Sequence, residues 1–284
     1  MTPRWMVTGA GGMVGIDLTE ELLSRGEDVI AVTKSDLDIA DSRLVEAFVR
    51  EKRPSIIVNC AAYTRVDDAE SNEKVANAIN GSSVELLASA ANVVDAMLVH
   101  ISTDFVFDGS KRTPYEVNDP TNPLSAYGRS KLLGEFAASH ARKHLVLRTS
   151  WLFGAHGPNF VESIHNQIRK GTSPLRVVND QRGRPTYTPH LANAILRLAR
   201  NDDARGIVHY ADEDECSWYD FAAAIVEELG ADTKVMPVST EEFPRPARRP
   251  AYSVLSTERY ERLTGVKPES WREGLRDYLV SSRA

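Results

Sequence analysis

The sequence contains few cysteines and no long apolar run. Its two cysteines, Cys60 and Cys216, are too far apart in the chain to indicate a disulfide framework or a zinc site. Cys60 stands in an apolar run, where we expect a buried and inert thiol. No apolar run reaches the roughly 18 residues that a membrane span needs, and the N-terminal stretch lacks the apolar core of a signal peptide. We therefore expect a soluble, cytoplasmic protein with no membrane partner.

An excess of positive charge is also missing. The 284 residues include 34 Lys+Arg and 40 Asp+Glu, which gives a formal net charge of −6. Proteins that bind nucleic acid usually carry a basic face, so we expect no nucleic-acid partner. Apolar residues make up 42% of the chain and charged residues 26%, which are ordinary values for a folded globular protein.

Short apolar runs alternate with amphipathic stretches in the first half of the chain. The runs are aliphatic at consecutive positions, which is typical of strands covered on both faces. The alternation predicts an α/β fold with a Rossmann-type, doubly wound parallel sheet. The predicted strands cover 5–8, 28–33, 55–60, 96–101 and 145–148, and the predicted helices cover 15–25, 41–52, 73–92 and 126–142.

After about residue 155 the pattern becomes less regular. Ser217 is predicted to cap a helix, with Asp220 as the acid of a capping box and Gly230 at the helix end. We predict a larger domain over 1–155, to which a segment near 186–215 returns, and a smaller C-terminal lobe that mainly occupies 156–284. Further helices are predicted over 163–170, 189–200 and 218–229, and a loop rich in proline and arginine over 237–253.

A glycine-rich turn follows the first predicted strand and opens the first predicted helix. The turn contains Gly9, Gly12 and Gly15. In such turns one glycine allows the tight bend, one lets backbone N–H groups approach a pyrophosphate, and one lets the helix pack closely on the strand. The N-terminus of the helix adds a partial positive charge for an anion. This context predicts that the larger domain binds a dinucleotide.

The end of the second predicted strand helps to choose between NAD and NADP. An acid at this tip would bind the adenosine ribose hydroxyls and repel a 2′-phosphate. Here the strand ends in Thr33 and Lys34, so we prefer NADP(H) and leave NAD(H) possible. Asp38 and Ile39 follow within a few residues and can contact the adenine of the cofactor.

Tyr127 and Lys131 stand four residues apart at the start of a predicted helix, so they share one helical face. A free tyrosine has a pKa near 10, too high for easy proton transfer at neutral pH. We expect Lys131 to lower the pKa of Tyr127 by stabilising the phenolate. Thr103 ends the fourth predicted strand, and ligands of open parallel sheets bind at this edge. Thr103, Tyr127 and Lys131 are therefore the predicted catalytic residues.

Several further segments resemble one family. The chain is similar to the extended short-chain dehydrogenases/reductases and, within them, to the dTDP-4-dehydrorhamnose reductase family over nearly its whole length. The segments that carry the resemblance are TGAGGMVG (8–15), VNCAAYTRVDDAES (58–71), STDFVFDG (102–109), YGRSK (127–131), RTSWLFG (148–154), VVNDQRGRPT (177–186) and RPARRPAYSVLST (245–257).

The resemblance implies an NADPH-dependent oxidoreductase that reduces the C4 ketone of a dTDP-4-keto-6-deoxyhexose, most simply dTDP-4-dehydro-L-rhamnose. It implies that Tyr127 is the general acid, that Thr103 binds the developing alkoxide, and that Lys131 holds the nicotinamide ribose. It also implies that Thr103, Asp104 and Trp151 contact the sugar. The residues implied to line the cofactor are Gly12, Met13, Val14, Asp38, Ile39, Ala61, Ala62, Tyr63, Ser102, Tyr127 and Lys131, beside Gly9 and Lys34 from the argument above.

This chain departs from the family pattern in small ways. Phe105 stands where tyrosine is common, and Met13 replaces a glutamine in the phosphate turn, where the backbone does the binding. Some members form dimers through a metal held by C-terminal acids. No trusted match to those acids occurs in 270–284, so we predict no metal and expect a monomer or a homodimer.

Three other functions share parts of this pattern. Related 4,6-dehydratases and 4-epimerases have the same fold, but the dehydratases carry Asp-Glu after the catalytic threonine, whereas Phe105 follows Asp104 here. A regulatory subunit of methionine adenosyltransferase resembles the family and is not catalytic. Other reductases act on different dTDP-4-keto-6-deoxysugars of antibiotic pathways, including the streptose branch. Contacts from 159–190 and 237–255 would decide which sugar is bound.

Overall fold

A parallel six-stranded sheet lies at the centre of the computed structural model, which describes residues 2–281. Its strand order is β2-β1-β3-β4-β5-β10, and every neighbouring pair is parallel. The fold is therefore the predicted α/β Rossmann-type sheet. The strands are β1 (Arg4–Thr8), β2 (Asp28–Val32), β3 (Ile56–Asn59), β4 (Met97–Thr103), β5 (His144–Thr149), β6 (Leu152–Phe153), β7 (Leu175–Val178), β8 (Arg182–Gly183), β9 (Thr186–Tyr187), β10 (Gly206–His209), β11 (Cys216–Ser217) and β12 (Val235–Val238).

Helices cover both faces of this sheet, and each predicted helix except that over 73–92 is found as one helix within a few residues of its predicted ends. The helices are α1 (Met13–Ser24), α2 (Ser42–Lys52), α3 (Val66–Ala69), α4 (Glu73–Asn77), α5 (Ser83–Val94), α6 (Ala126–Ala138), α7 (Phe160–Arg169), α8 (Thr188–Ala199), α9 (Trp218–Glu228), α10 (Glu258–Thr264) and α11 (Trp271–Ser281).

Alternate residues of the central strands bury their side chains on opposite faces. In β1, Trp5 and Val7 pack against α1 and α8, whereas Met6 packs in the second core with α2 and α5. All three are 0% exposed, which explains why the run is apolar at consecutive positions. The segment predicted to return to the sheet contributes α8 and β10, and Tyr260 of α10 joins the same core.

The later part of the chain forms a further core of aromatic residues. Phe153, Phe221 and Trp271 are 0%, 0% and 1% exposed and pack together between α7, α9 and α11. The predicted capping box is present at the start of α9, where Ser217 and Asp220 bind each other's backbone N–H groups.

Two stretches differ from the sequence-based expectation. The region predicted as one helix over 73–92 is α4, a π-helical segment (Ala78–Ser82) and α5 in succession. The wider turn places Asn80 toward Tyr63, whose backbone it binds. The loop predicted over 237–253 begins inside β12, because Pro237 and Val238 pair with β7. Among the described residues, no helix is both long and apolar enough to cross a membrane.

Candidate active site

The turn between β1 and α1 is closely packed against the chain that follows β3. Gly9 has a φ of +68°, and a Cβ there would lie 2.5 Å from the backbone nitrogen of Ala61. A Cβ on Gly15 would collide with the carbonyl oxygen of Gly9. Gly12 caps α1 without any side-chain hydrogen bond, so the first N–H groups of the helix, at Met13 and Val14, are not capped by a side chain. This geometry suits an anion held by backbone alone.

The residues after β2 are arranged around a small turn. The Asp36 carboxylate accepts hydrogen bonds from the Thr33 N–H at 2.8 Å and the Thr33 hydroxyl at 2.5 Å, which lower the pKa of Asp36. Lys34 is exposed beside it, and Asp38 is also exposed. Asp38 accepts a bond from the Ala40 N–H at 3.0 Å, while Ile39 packs against the core. The carboxylate of Asp36, near the strand tip, therefore closes the turn by binding Thr33.

Buried amide side chains shape the segment after β3. The Asn59 Oδ1 atom accepts hydrogen bonds from the Thr8 hydroxyl at 2.7 Å and from the Ala61 N–H at 3.2 Å. Asn80 accepts a bond from the Tyr63 N–H at 2.7 Å and donates to the Tyr63 carbonyl at 3.0 Å. These contacts fix the backbone from Ala61 to Tyr63 beside the glycine turn.

The three predicted catalytic residues lie on β4 and α6. Thr103 ends β4 and Tyr127 lies in the first turn of α6, whose N-cap Ser125 accepts a bond from the Gly128 N–H at 3.1 Å. The Thr103 hydroxyl donates to Asp104 Oδ1 at 3.0 Å and accepts from the Phe105 N–H at 3.2 Å. Lys131 is 3% exposed, and its Nζ donates to the Ile101 carbonyl at 2.5 Å. The structure thus brings the predicted triad to the carboxyl edge of the sheet.

The predicted effect of Lys131 on Tyr127 is wrong for this structure. Burial raises the pKa of Tyr127 above its usual value, and the nearby Asp104 charge raises it further, while the Thr103 hydroxyl opposes both. Lys131 instead directs its ammonium group to the Ile101 carbonyl. Burial also lowers the pKa of Lys131 to about 8. Tyr127 is therefore protonated at neutral pH and is a weaker acid than a free tyrosine.

Asp104 is buried between the catalytic strand and a distant loop. It is 2% exposed, and its Oδ1 accepts a hydrogen bond from the Thr103 hydroxyl at 3.0 Å. Its Oδ2 accepts a bond from the Ser253 hydroxyl at 2.5 Å. Burial raises the pKa of Asp104 to about 7, against the lowering effect of these hydrogen bonds. Both protonation states of this carboxyl group are therefore accessible near neutral pH.

A buried ion pair fastens α6 to β4 and β5. Arg148 Nε lies 2.8 Å from Glu135 Oε1 and Arg148 Nη2 lies 2.7 Å from Glu135 Oε2, a bidentate arrangement. The Ser102 hydroxyl donates to Glu135 Oε1 at 2.6 Å. The Ser102 side chain is thus bonded to this pair, and the cofactor contact of Ser102 stays a prediction. The side chains of Glu135 and Arg148 are only 4% and 2% exposed.

Trp151 is held in one orientation by three neighbours. Its φ of +49° is in the left-handed region, and its ring stacks on Trp218 with centroids 3.5 Å apart. A Cβ on Gly183 would lie 2.5 Å from the indole, so only glycine fits there. The Trp151 carbonyl accepts a bond from the Thr186 N–H at 3.2 Å. The tryptophan predicted to contact a sugar is therefore a fixed, partly exposed surface.

The match to known proteins covers almost the whole chain. The model of the family described as "RmlD substrate binding domain" matches residues 3–283. The chain belongs to this family. It is 43% identical over 286 residues to a dTDP-4-dehydrorhamnose reductase of Mycolicibacterium smegmatis, covering 99% of this chain and 86% of that protein. It is 44% identical over 278 residues to a probable dTDP-4,6-dihydroxy-2-methyloxan-3-one 4-ketoreductase of Streptomyces antibioticus, covering 96% of this chain and 94% of that protein.

A solved member of the RmlD family has nearly the same fold. It is the dTDP-4-dehydrorhamnose reductase of Bacillus anthracis in complex with NADP, with 38% identity and a TM-score of 0.94. The superposition covers 99% of this chain and 100% of that chain. The expectation drawn from the sequence motifs, that the chain is a relative of these reductases, is confirmed.

Two residues of this RmlD-family chain were missed by the sequence analysis. Asn80 fixes Tyr63, and its only sequence signal is a polar residue inside an otherwise helical stretch. Arg184 lies in the VVNDQRGRPT segment, partly buried, and its Nε is buried without a hydrogen-bond partner. Burial lowers its pKa, while Glu215 has the opposite effect. In the arginine-rich loop, by contrast, Arg249 has an ionic partner, because its Nη2 lies 3.1 Å from Asp67 Oδ2.

Two separate clusters of acids and histidines occur among the described residues. Within residues 2–281, the ligand atoms of each group lie within 4.8 Å of one another, and the groups are Asp17, Glu20 and His156, and His190, Asp212 and Glu269. In the second group His190 Nδ1 already lies 2.9 Å from Asp212 Oδ2. The absence of a metal stays a prediction. The last three residues of the 270–284 tail on which it was based lie outside the described residues.

Proposed function

We propose that this chain catalyses the NADPH-dependent reduction of the C4 ketone of dTDP-4-dehydro-L-rhamnose to dTDP-L-rhamnose. The observation that carries the proposal is that Thr103 ends β4 and that Tyr127 and Lys131 lie on α6, at the carboxyl edge of the sheet where the glycine turn follows β1. Family membership supports it, because relatives that align along almost their whole length are named as reductases of dTDP-4-keto sugars. We place the reaction in the cytoplasm, where NADPH is available.

The residues at the glycine turn fit a dinucleotide. The close packing at Gly9 and Gly15 leaves no room for side chains, and the N-terminal amides of α1 have no side-chain cap. The B. anthracis relative was solved with NADP, which supports NADP(H) over NAD(H). Gly12, Met13 and Val14 would bind its pyrophosphate, Lys34 its 2′-phosphate, and the cofactor supplies the hydride when bound.

Tyr127 is suited to donate a proton to the ketone oxygen. It is protonated at neutral pH, and it transfers its proton as negative charge develops on that oxygen and makes the oxygen a stronger base. Thr103 adds a second hydroxyl for the same oxygen. Lys131, which donates to the Ile101 carbonyl, would supply a positive charge within the site and would hold a ribose hydroxyl of the cofactor. Together these residues orient the ketone and stabilise the alkoxide.

Trp151 and Arg184 offer contacts for the rest of the substrate. The stacked face of Trp151 suits the apolar side of a 6-deoxysugar. Arg184 has a partly buried guanidinium that makes no ion pair with a described residue within 4.0 Å. A buried charge without a partner is costly, so an anionic ligand group would stabilise it. We assign Arg184 to the diphosphate of the nucleotide sugar.

A different dTDP-4-keto-6-deoxysugar is the second candidate substrate. The S. antibioticus relative is 44% identical and is named for a 4-ketoreductase acting on another dTDP-sugar. The sugar-facing surface includes Trp151 and the 245–257 segment, and small changes there would change the preferred ring substituents.

The test is the oxidation of NADPH by purified protein with dTDP-4-dehydro-L-rhamnose made in situ, with NADH in a parallel reaction. Fast oxidation that yields dTDP-L-rhamnose supports the first candidate. Activity only with another dTDP-4-keto-6-deoxysugar supports the second. Tight NADPH binding without oxidation of any of these sugars would contradict both and favour a non-catalytic role.

A further inference from the structure

The residues that follow β3 are joined to the 245–257 segment at Asp67. Asp67 Oδ1 accepts a hydrogen bond from the Ala247 N–H at 3.2 Å, and Asp67 Oδ2 lies 3.1 Å from Arg249 Nη2. Arg249 also donates from Nη1 to the Ala247 carbonyl at 3.2 Å, so the three residues are bonded to one another. The Asp67 and Arg249 side chains are 31% and 21% exposed. The Asp67–Arg249 contact therefore connects two distant parts of the chain in a partly buried place.

On one side the contact leads to the glycine turn that we propose for the dinucleotide. The chain that carries Asp67 begins against this turn, since a Cβ on Gly9 would lie 2.5 Å from the backbone nitrogen of Ala61. Tyr63 is fixed within this stretch, because its hydroxyl donates to the carboxylate of Asp68, the neighbour of Asp67. A displacement of Asp67 would therefore disturb the backbone from Ala61 to Tyr63, where cofactor contacts are predicted.

On the other side the contact leads to the surface that we propose for the sugar. Ala251 lies two residues beyond Arg249, and its carbonyl accepts a hydrogen bond from the Arg182 N–H at 2.9 Å. Arg182 begins β8, and the Trp151 indole packs against the second residue of that strand. The 245–257 segment thus holds the strand that supports Trp151, and Asp67 holds the start of that segment.

We propose that Asp67 is a positioning residue that, by binding Ala247 and Arg249, keeps the dinucleotide site and the sugar-nucleotide site together in the arrangement that binds their ligands. The inference rests on the proposed reductase function and deepens it. When the Asp67–Arg249 contact opens, both sites lose affinity, and either ligand alone shifts the contact back to its closed arrangement. The contact therefore couples the two ligands through one conformational equilibrium.

The position of the contact allows it to open without unfolding of the core. Residues 241–246, which precede it, are all exposed, whereas Ala247 is 2% exposed. The segment thus passes from solvent onto the larger domain at Asp67. A partly exposed ion pair with one main-chain hydrogen bond contributes a moderate free energy. The closed arrangement is therefore favoured when both partners are present and loses that preference when one of them is removed.

A direct contact between Arg249 and the substrate diphosphate is the competing interpretation. The two interpretations predict opposite effects for Asp67→Asn, which keeps the size of the side chain but removes its charge and so releases Arg249. If Arg249 bound the diphosphate, its release would strengthen the binding of the nucleotide. If the Asp67–Arg249 contact positions the sites, its loss weakens that binding.

The first experiment measures the binding of NADP⁺ and of dTDP, separately and together, by isothermal titration calorimetry. In Asp67→Asn we expect the dissociation constant of each ligand alone to rise by about fivefold, as when about one molecule in five remains closed. Saturation with one ligand should return the dissociation constant of the other to within about twofold of its value in the unchanged protein. The factor must be the same in both directions, because the coupling of two binding equilibria is reciprocal.

Two further variants complete this measurement. Arg249→Gln removes the other partner and should give the same pattern, and the double variant should bind no more weakly than either single variant, since both changes act on one contact. Asp95→Asn is the matched control. Asp95 forms an ion pair with Lys143 at 2.6 Å, but it precedes β4 and therefore lies at the opposite edge of the sheet. This variant should leave both dissociation constants unchanged.

The second experiment detects the open arrangement without measuring affinity. Arg248 is exposed beside the contact, and trypsin cleaves after arginine. Under limited digestion followed by mass spectrometry, cleavage after Arg248 should be several times faster in Asp67→Asn than in the unchanged protein or in Asp95→Asn. NADP⁺ alone should suppress this cleavage, although the glycine turn that we propose for it belongs to a different part of the chain.

The outcomes separate this inference from the proposed function. If the unchanged protein binds NADP⁺ and dTDP but Asp67→Asn leaves dTDP binding unchanged or strengthens it, Asp67 does not position the sites. A weakened binding that the other ligand does not relieve, or the same losses in Asp95→Asn, would also overturn the inference. If the unchanged protein binds neither ligand, the proposed function fails and the inference fails with it. The expected coupling in a protein that reduces no 4-keto sugar would contradict the proposed function alone.

Discussion

The indole rings of Trp151 and Trp218 are stacked face to face, with centroids 3.5 Å apart and planes inclined by 6°. The two residues come from different parts of the chain, since Trp151 follows β5 and Trp218 opens α9. Their contact joins the catalytic edge of the sheet to the aromatic core of the later segment. The orientation of Trp151, and with it the proposed sugar-binding surface, therefore depends on how these two parts pack together.

Gly183→Ala tests this dependence. The added methyl group would lie 2.5 Å from the Trp151 indole, so the ring must move. We expect KM for the sugar nucleotide to rise by about tenfold or more, because a small displacement of a binding surface is costly, while NADPH affinity stays unchanged. Gly171→Ala, at a φ of +73° with nothing within 4 Å, adds backbone strain that involves no contact with Trp151, so it controls for a general loss of stability. Unchanged KM in Gly183→Ala would remove Trp151 from the sugar site.

Tyr127→Phe removes the proposed general acid and keeps the ring. We expect kcat to fall by about a hundredfold or more, the usual contribution of a positioned acid. NADPH binding, measured by fluorescence or calorimetry, should remain nearly the same. Full activity in this variant would exclude Tyr127 as the proton donor.

Lys34→Asp tests the choice of cofactor. Lys34 is exposed at the end of β2, and the nearby Asp36 carboxylate is bonded to Thr33. Loss of a charged contact to the 2′-phosphate, with repulsion from the new carboxylate, should weaken NADPH by about tenfold or more. NADH, which lacks this phosphate, should bind nearly as before. An unchanged NADPH-to-NADH ratio of dissociation constants would show that Lys34 does not contact the phosphate.

Glu135→Ala should be strongly destabilising. It leaves the Arg148 guanidinium, whose side chain is 2% exposed, without its counter-ion and removes the acceptor for Ser102. We expect a loss of about 3–5 kcal/mol in the free energy of unfolding, measured with urea. Glu46→Ala breaks an exposed pair with Arg50 and should cost no more than about 0.5 kcal/mol. Similar losses in the two variants would mean that the buried ion pair contributes no more to the free energy of unfolding than the exposed pair does.

The parallel sheet and its helices could be predicted from local sequence signals. Strands β1 and β3 are apolar at successive positions because both of their faces are buried, and this pattern can be recognised without knowing what covers them. The same is true of the capping box of Ser217 and Asp220, whose partners are three residues apart. The π-helical segment was missed because its cause is not local: Asn80 binds Tyr63, 17 positions earlier in the chain.

The sequence by itself determined the fold class, the glycine turn, the Thr103, Tyr127 and Lys131 set and the order in which they occur, because each depends on neighbouring residues or on strand ends. Only the tertiary structure decided the electrostatics. Burial raises the pKa values of Tyr127 and Asp104, and Lys131 donates to Ile101 rather than lowering the pKa of Tyr127. Burial and hydrogen bonding arise when distant segments pack together, as when the hydroxyl of Ser253 binds Asp104. The spacing of residues along the chain does not show which of these groups will be in contact.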